Sequence, residues 1–316
     1  MTCTHCIEAT KEYPIDYIDQ SGAGRYAQCP AKYFFERILG LADNNVSTVA
    51  MDYGTDLHTL FPQCYGAKNK QEESILLNFV MDQYIKLAKE RNIPEDDKKH
   101  TIELTELRLS NFIELHAYKI CQYERVLFPN INPPTDTKLV SDVEVPFLID
   151  IGGLLSFAGR IDFPCRMNDT KELFAGDYKT ASEISGRLWS CFEISIQAIG
   201  YTLALAHLTN ENVRGFLVEA IRKSVTKKNC EVQIHRQYVE TNDISMFIGY
   251  MNSTSKDIVH NNETQKWPKK LSNCSIYSAT GIPSGNCPYK ILCKSDDWTE
   301  LKRYYKQNIP FNPLKG

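Results

Sequence analysis

No apolar run in this 316-residue chain approaches the length of about eighteen residues that crosses a bilayer. The opening residues, Met1-Thr2-Cys3-Thr4-His5-Cys6, lack the basic and apolar regions of a secretory signal. Neither membrane insertion nor export is expected, and a cytosolic location follows by default. Internal repeats and low-complexity segments are absent, which excludes solenoid architectures. Charge of one sign is also missing. With 36 Lys+Arg against 39 Asp+Glu, the net charge of −3 lacks the basic footprint of non-specific nucleic-acid binders. Cysteine, by contrast, is abundant at 11 residues. An odd count without an export signal argues against a disulfide framework. Metal or cluster ligation is the better reason for some of these thiols. Others, such as Cys121, Cys165 and Cys191, are expected to be small buried hydrophobes.

Hydrophobic spacing divides the chain into a helical first part and a strand-rich second part. Helices are expected over 28–41, 52–61, 72–91 and 101–127, the last two separated by a polar break containing Pro94. After Asn130-Ile131-Asn132-Pro133-Pro134 the pattern predicts a meander of strands over 139–149, 154–164 and 173–178, with Gly152-Gly153 as a turn. A helix over 192–208, strands over 215–221 and 231–238, and a helix over 243–260 follow. From Glu263 on the chain is loop-rich. This order predicts an α/β fold, a mixed central β-sheet flanked by helices, with an N-terminal helical insertion at about 65–135. A flexible leader over 1–20 would precede a single domain over 21–316.

Within that plan, Gly159-Arg160-Ile161-Asp162 is followed fifteen residues later by Asp177-Tyr178-Lys179-Thr180. If the strands carrying them pair as a hairpin, the two carboxylates converge at one sheet edge. Two close carboxylates repel unless a divalent cation sits between them. Lys179 lies two residues after Asp177, so the alternation of a strand puts it on the same face. There its ammonium can hold a phosphate oxygen or lower the pKa of an attacking water. The set suits metal-assisted phosphodiester cleavage. An acidic overall balance does not oppose that chemistry, because the site is itself acidic and cations need only cluster locally. Arg222, Lys223, Lys227 and Lys228 form one such cluster, and Lys266, Lys269 and Lys270 another; each reads equally well as solvated surface.

Three further features bear on the acidic pair. In Gly54-Thr55-Asp56-Leu57-His58, glycine and histidine share a helical face: the glycine would allow close approach to the sheet, and the imidazole is either a metal ligand or a packed residue. Gln197 and Tyr201, four apart on the next helix, either bind phosphate and position the lysine or form an ordinary hydrogen-bonded interior pair. Glu144, on the strand before Asp162, is expected to face solvent or reach the metal only through water.

The order G-x-x-x-H, G-R-I-D, D-Y-K-T and Q-x-x-x-Y resembles the PD-(D/E)XK nuclease superfamily. More specifically it is similar to the RecB-type exonuclease branch found in phages and among CRISPR-associated adaptation nucleases. Cys29-Pro30-Ala31-Lys32-Tyr33-Phe34 resembles the helix that opens that branch, and the likeness runs from about Ser21 to Cys293. Ile161 stands where the signature proline would be. The resemblance implies a restriction-endonuclease-like fold and a DNA exonuclease acting in recombination, replication or end processing. Single-stranded ends or tailed duplexes would be the substrate, with replication or recombination proteins as partners and, if phage-encoded, a bacterial cytoplasm as location. It implies that His58, Asp162, Asp177 and the Tyr178 carbonyl hold Mg²⁺ or Mn²⁺. Lys179 would orient or deprotonate the attacking water, and Gln197 and Tyr201 would hold the scissile strand. It also implies a 4Fe–4S cluster on Cys29, Cys274, Cys287 and Cys293, forming a clasp at about 263–300, with zinc as the other candidate. The spacing of Cys287 and Cys293 fits the branch, whereas Cys274 lies farther back than the usual C-x2-C. A catalytically silent DNA-end binding module and an RNA-directed nuclease of the same fold are the competing readings.

Overall fold

A computed structural model of the chain describes residues 6–9, 11–42, 49–90, 101–117, 121–126, 144–223, 231–270, 274, 287–295 and 297–308. The chain opens with strands β1 (Cys6–Glu8) and β2 (Tyr17–Asp19), helices α1 (Gln20–Gln28) and α2 (Pro30–Tyr33), a π-helical turn at Phe34–Ile38, and β3 (Leu41–Ala42). Three helices follow, α3 (Val49–Leu60), α4 (Lys70–Glu90) and α5 (Ile102–Leu115). Strands β4 (Tyr123–Arg125), β5 (Val145–Ile149), β6 (Ser156–Ile161), β7 (Phe163–Met167) and β8 (Leu173–Ala181) come next. Helices α6 (Gly186–Ser190) and α7 (Ile196–Thr209) lead to β9 (Val213–Arg222) and β10 (Val232–Tyr238). The long helix α8 (Thr241–Thr264) precedes β11 (Lys266–Pro268), α9 (Lys290–Lys294), α10 (Trp298–Leu301) and β12 (Lys306–Gln307). No helix among the described residues is long and apolar enough to cross a membrane.

The chain divides into two compact units, one of 1–46, 146–159 and 245–316, the other of 47–145 and 160–244. The first holds a three-stranded sheet in the order β2-β6-β5 and two small antiparallel pairs, β1 with β11 and β3 with β12. Strands β1 and β2 lie within the stretch expected as a flexible leader, and β2 runs parallel to β6. Three-residue strands are too short for their alternation to be read. Helix α1 starts where the Asp19 carboxylate accepts the Gly22 N–H at 2.7 Å, an N-cap that satisfies an otherwise orphaned donor. The expected helix over 28–41 is therefore corrected. Cys29 is extended, Pro30 opens the four-residue α2, and a π-helical turn closes the segment. The core of this unit is aromatic: Phe34 stacks on Trp267 at 5.1 Å, and Trp298 meets both Phe34 and Phe35 edge-on.

The second unit is built on a five-stranded mixed sheet in the order β10-β9-β8-β7-β4. Strands β8 and β9 are parallel, and the other pairs are antiparallel. Parallel neighbours need a crossover, which α6 and α7 supply. Helix α7 is capped by Ser195, whose hydroxyl accepts the Ala198 N–H, and it stops at Asn210 in the left-handed conformation. Tyr53, Leu57 and Leu60 give α3 a buried face, which packs with Phe61, Phe112, Phe163, Phe174, Tyr178 and Leu217 into one core. Since Gln197 reaches Asp177 while His58 and Phe61 contact Tyr178, strand alternation puts α7 and α3 on opposite faces of the sheet. The expected mixed α/β architecture, a mixed sheet flanked by helices, is present.

Two expectations fail here for identifiable reasons. The helix expected over 101–127 ends at Leu115, and Tyr123–Arg125 forms a strand paired with β7. Tyr123 favours a strand and buries its hydroxyl against Glu219. The expected meander is split between the two sheets, because the strand expected over 154–164 breaks at Asp162 into β6 and β7. Residues 127–143, including Asn130–Pro134, lie outside the described residues, as do Cys3, Lys227 and Lys228.

One glycine is dictated by packing. Gly176 pairs with Phe163, and a β-carbon there would overlap the Phe163 carbonyl oxygen and its ring. Gly176→Ala is expected to destabilise the protein by about 1–3 kcal/mol, the usual cost of overpacking. Denaturant unfolding checks this, and an unchanged midpoint contradicts it. Gly54 is different. A β-carbon there would stand 3.5 Å from Thr180 Oγ1, an ordinary contact, so close approach to the sheet does not require glycine.

Candidate active site

The antiparallel pairing of Phe163 with Gly176 brings Asp162, just before β7, next to Asp177 and Tyr178 on β8. The Tyr178 N–H donates to Asp162 Oδ2 at 2.9 Å, which fixes the carboxylate against the strand. His58, near the end of α3, places Nδ1 3.3 Å from the same oxygen. Across the pair, Lys179 makes an ion pair with Asp177 Oδ2. Gln197 Nε2, in the first turn of α7, donates to Asp177 Oδ1 at 2.6 Å. Five side chains drawn from α3, the β7–β8 hairpin and α7 thus converge in the second unit.

Burial alone would raise the Asp162 carboxyl, but the His58 imidazole, Lys179 and the Tyr178 N–H outweigh it and hold it below the ordinary range. Burial raises Asp177 to about 6, with Lys179 opposing the rise and Asp162 adding to it. His58 and Lys179 are both raised. Burial acts against their charged forms, and the two carboxylates overcome it. The site therefore concentrates negative charge on two mostly buried carboxylates and sets a partly exposed imidazole and ammonium against it.

Tyr201, one turn beyond Gln197, is buried and meets Phe216 edge-on at 6.1 Å. Glu144 accepts from Arg160 Nη1 at 2.6 Å, so a guanidinium beside Asp162 in sequence faces that acid. Directly behind Tyr178 lies a buried polar cluster of Tyr65, His116, Tyr123 and Glu219, which sequence reasoning passed over. Its one visible signal is a glutamate inside the apolar run Phe216-Leu217-Val218-Glu219-Ala220-Ile221.

In the first unit, Cys29 and Cys287 lie close enough to Cys274 and Cys293 to act on them electrostatically, though no three of these thiols stand in metal-holding geometry. Burial first, then the nearby thiols of Cys29, Cys287 and Cys274, push the Cys293 thiol up to about 12. Burial with Cys287 and Cys29 likewise raises Cys274. Cys29 Sγ accepts the Lys270 N–H at 3.4 Å. Elsewhere Cys165 is buried as expected, Cys121 is half-buried, and Cys191 is exposed, which corrects its assignment as a core residue.

A model of the PD-(D/E)XK nuclease superfamily matches residues 20–294. The chain therefore belongs to the PD-(D/E)XK nuclease superfamily, and its mixed sheet flanked by helices is consistent with the restriction-endonuclease-like fold of that family. Among solved structures, a Eubacterium rectale protein named as a candidate exonuclease is similar at 14% identity, with a TM-score of 0.45 over 82% of this chain and 86% of that chain. Comparison with curated protein sequences returns no significant match.

The superfamily implies a divalent cation. No group of three or more His, Cys, Asp or Glu side chains among the described residues stands in metal-holding geometry, and the positive charge facing Asp177 is that of Lys179. The donor chemistry nevertheless fits. Asp162 and Asp177 stand side by side with the His58 imidazole, and Lys179 ion-pairs with Asp177 Oδ2. Two carboxylates this close repel each other, Asp162 raising Asp177, and a divalent cation between them would relieve that repulsion.

Proposed function

We propose that the protein is a metal-dependent DNA exonuclease of the RecB-type, phage-like branch, acting on single-stranded ends or tailed duplexes in recombination, replication or end processing. The convergence of His58, Asp162, Asp177 and Lys179, residues far apart in the chain, carries this reading. His58, Asp162, Asp177 and the Tyr178 carbonyl would hold Mg²⁺ or Mn²⁺, oxygen donors with one imidazole suiting these ions. When bound, the cation supplies Lewis-acid charge that offsets the negative charge building on the phosphoryl oxygens. Lys179 directs its ammonium toward the attacking water and the phosphate, raising the nucleophile's reactivity and holding the target in line. Water oxygen bonds to phosphorus, giving its proton to solvent, and the bond to the departing sugar oxygen breaks as that oxygen takes up a proton from solvent to leave as a hydroxyl. Gln197 restrains Asp177, and with Tyr201 it positions the scissile strand.

Helices α4 and α5 form the helical insertion of this fold, and the segment at about 263–300 is a cysteine clasp. Cys29, Cys274, Cys287 and Cys293 would hold a 4Fe–4S cluster there, which would tie the N-terminal helices to the C-terminal segment. The electrostatic reach among these thiols, one of them accepting a backbone N–H, supports this part of the reading.

Incubation with Mn²⁺ and DNA labelled at the 5′ or 3′ end, single- and double-stranded, tests the activity. Progressive release of mononucleotides or short products from one end is expected. Tight DNA binding without hydrolysis would mark a silent end-binding module, and cleavage confined to RNA would replace the DNA assignment.

A further inference from the structure

Immediately behind the candidate site, three side chains share one buried carboxylate. Glu219 is fully buried on β9 and is the register partner of Tyr178 on β8. Its Oε1 accepts the Tyr123 hydroxyl at 2.7 Å and lies 2.7 Å from His116 Nε2; its Oε2 accepts the Tyr65 hydroxyl at 3.2 Å. His116 Nδ1 is 2.7 Å from the Phe112 carbonyl, which can only accept, so Nδ1 carries a proton. Burial, then the Glu219 charge, keeps the Tyr65 and Tyr123 hydroxyls protonated and donating.

Two arms of this cluster, Tyr65 and Tyr123, end beside residues of the site. Tyr65 follows the helix that carries His58, and its hydroxyl is 2.9 Å from that of Tyr178, the residue between Asp177 and Lys179. The Tyr178 ring stacks on Phe163 at 4.4 Å, next to Asp162, and meets the His58 ring edge-on at 5.9 Å. Tyr123 also stacks on that phenylalanine, at 5.6 Å. A buried charge with several donors is expensive to assemble, and packed apolar residues of similar volume would stabilise the core at least as well. What such a network supplies instead is a single geometry.

We propose that Glu219, with His116, Tyr65 and Tyr123, forms a positioning device for the nuclease reaction: it locks the Tyr178 ring and so fixes β8 and α3 in the register that lets Asp162, Asp177 and His58 meet one cation. The inference rests on the metal-site reading above. Outer partners of metal ligands typically change metal affinity or activity by about 10–100-fold when removed.

The test measures Mn²⁺ affinity by electron paramagnetic resonance, kcat and KM on labelled DNA, and folding by circular dichroism, for wild type, Tyr65→Phe and Glu219→Gln. Tyr65→Phe removes one hydroxyl and keeps the ring, so it remains informative if Glu219→Gln does not fold. A weakening of Mn²⁺ binding by about 10-fold or more, with lower kcat, unchanged KM and native circular dichroism, is the expected result. Wild-type Mn²⁺ affinity and kcat in Tyr65→Phe would overturn the positioning role while leaving the metal site intact. An added Asp162→Ala variant that binds Mn²⁺ as tightly as wild type would overturn the metal-site reading and this inference with it.

Discussion

Replacing Lys179 by alanine is expected to lower Mn²⁺-dependent DNA hydrolysis by about 10²–10³-fold, the usual loss when one preorganised donor to developing charge is removed. Lys179 supplies the only ammonium that the described residues set against Asp177, and its charge also acts on Asp162. Its partner is buried and already raised to about 6, so the ion pair holds Asp177 in the ionised form a metal requires. The fold should survive, because the Lys179 side chain retains about a third of its exposure (32%) and anchors no part of the apolar core. Circular dichroism should therefore match wild type while hydrolysis of end-labelled DNA collapses. Full activity in the variant would remove Lys179 from the site. Asp162→Ala should be as severe by another route, since it deprives both His58 and the Tyr178 N–H of their shared acceptor.

The second large effect concerns the thiols. Protein purified without oxygen is expected to be brown and to contain about four iron atoms and four labile sulfides per chain. Cys293→Ser is expected to lose the colour and most of the iron, and to unfold at markedly lower temperature. Cluster binding is folding free energy when the unfolded chain has no preformed site, and here it would join Cys29, at the start of α2, to Cys293 on α9. Iron analysis and a thermal melt check both points. A colourless protein carrying one zinc would support zinc instead, and a protein with neither metal whose melt ignores Cys293→Ser would refute the clasp.

Much of the site was legible because two short signals obey strand geometry. Asp177 and Lys179 share a face two residues apart, and a hairpin needs only one register to set Asp162 beside them. His58 was readable as one face of a helix, although nothing local distinguished a ligand from a packed residue. Its contact with Asp162 depends on how α3 packs, which is tertiary information. The errors differ in cause. Proline at position 30 and a single extended cysteine divided a helix whose apolar spacing looked continuous, and Tyr123 sat in a helical pattern while belonging to a strand. The first break is local, since the residue before a proline is driven to the extended conformation. The Tyr123 strand was decided instead by Met167 and Glu219, far away in sequence. The Glu219 cluster was invisible for the same reason: a glutamate in an apolar strand looks like an interruption until Tyr65, His116 and Tyr123 arrive from three other segments.

Anomalous scattering from a crystal grown with Mn²⁺ tests the central claim most directly. One strong peak is predicted within direct coordination range, about 2.0–2.6 Å for hard divalent cations, of carboxylate oxygens from both Asp162 and Asp177, with the His58 imidazole completing the set. A Mn²⁺ peak elsewhere in a well-ordered crystal, with Lys179 still paired to Asp177 and no ion between the two acids, would contradict it.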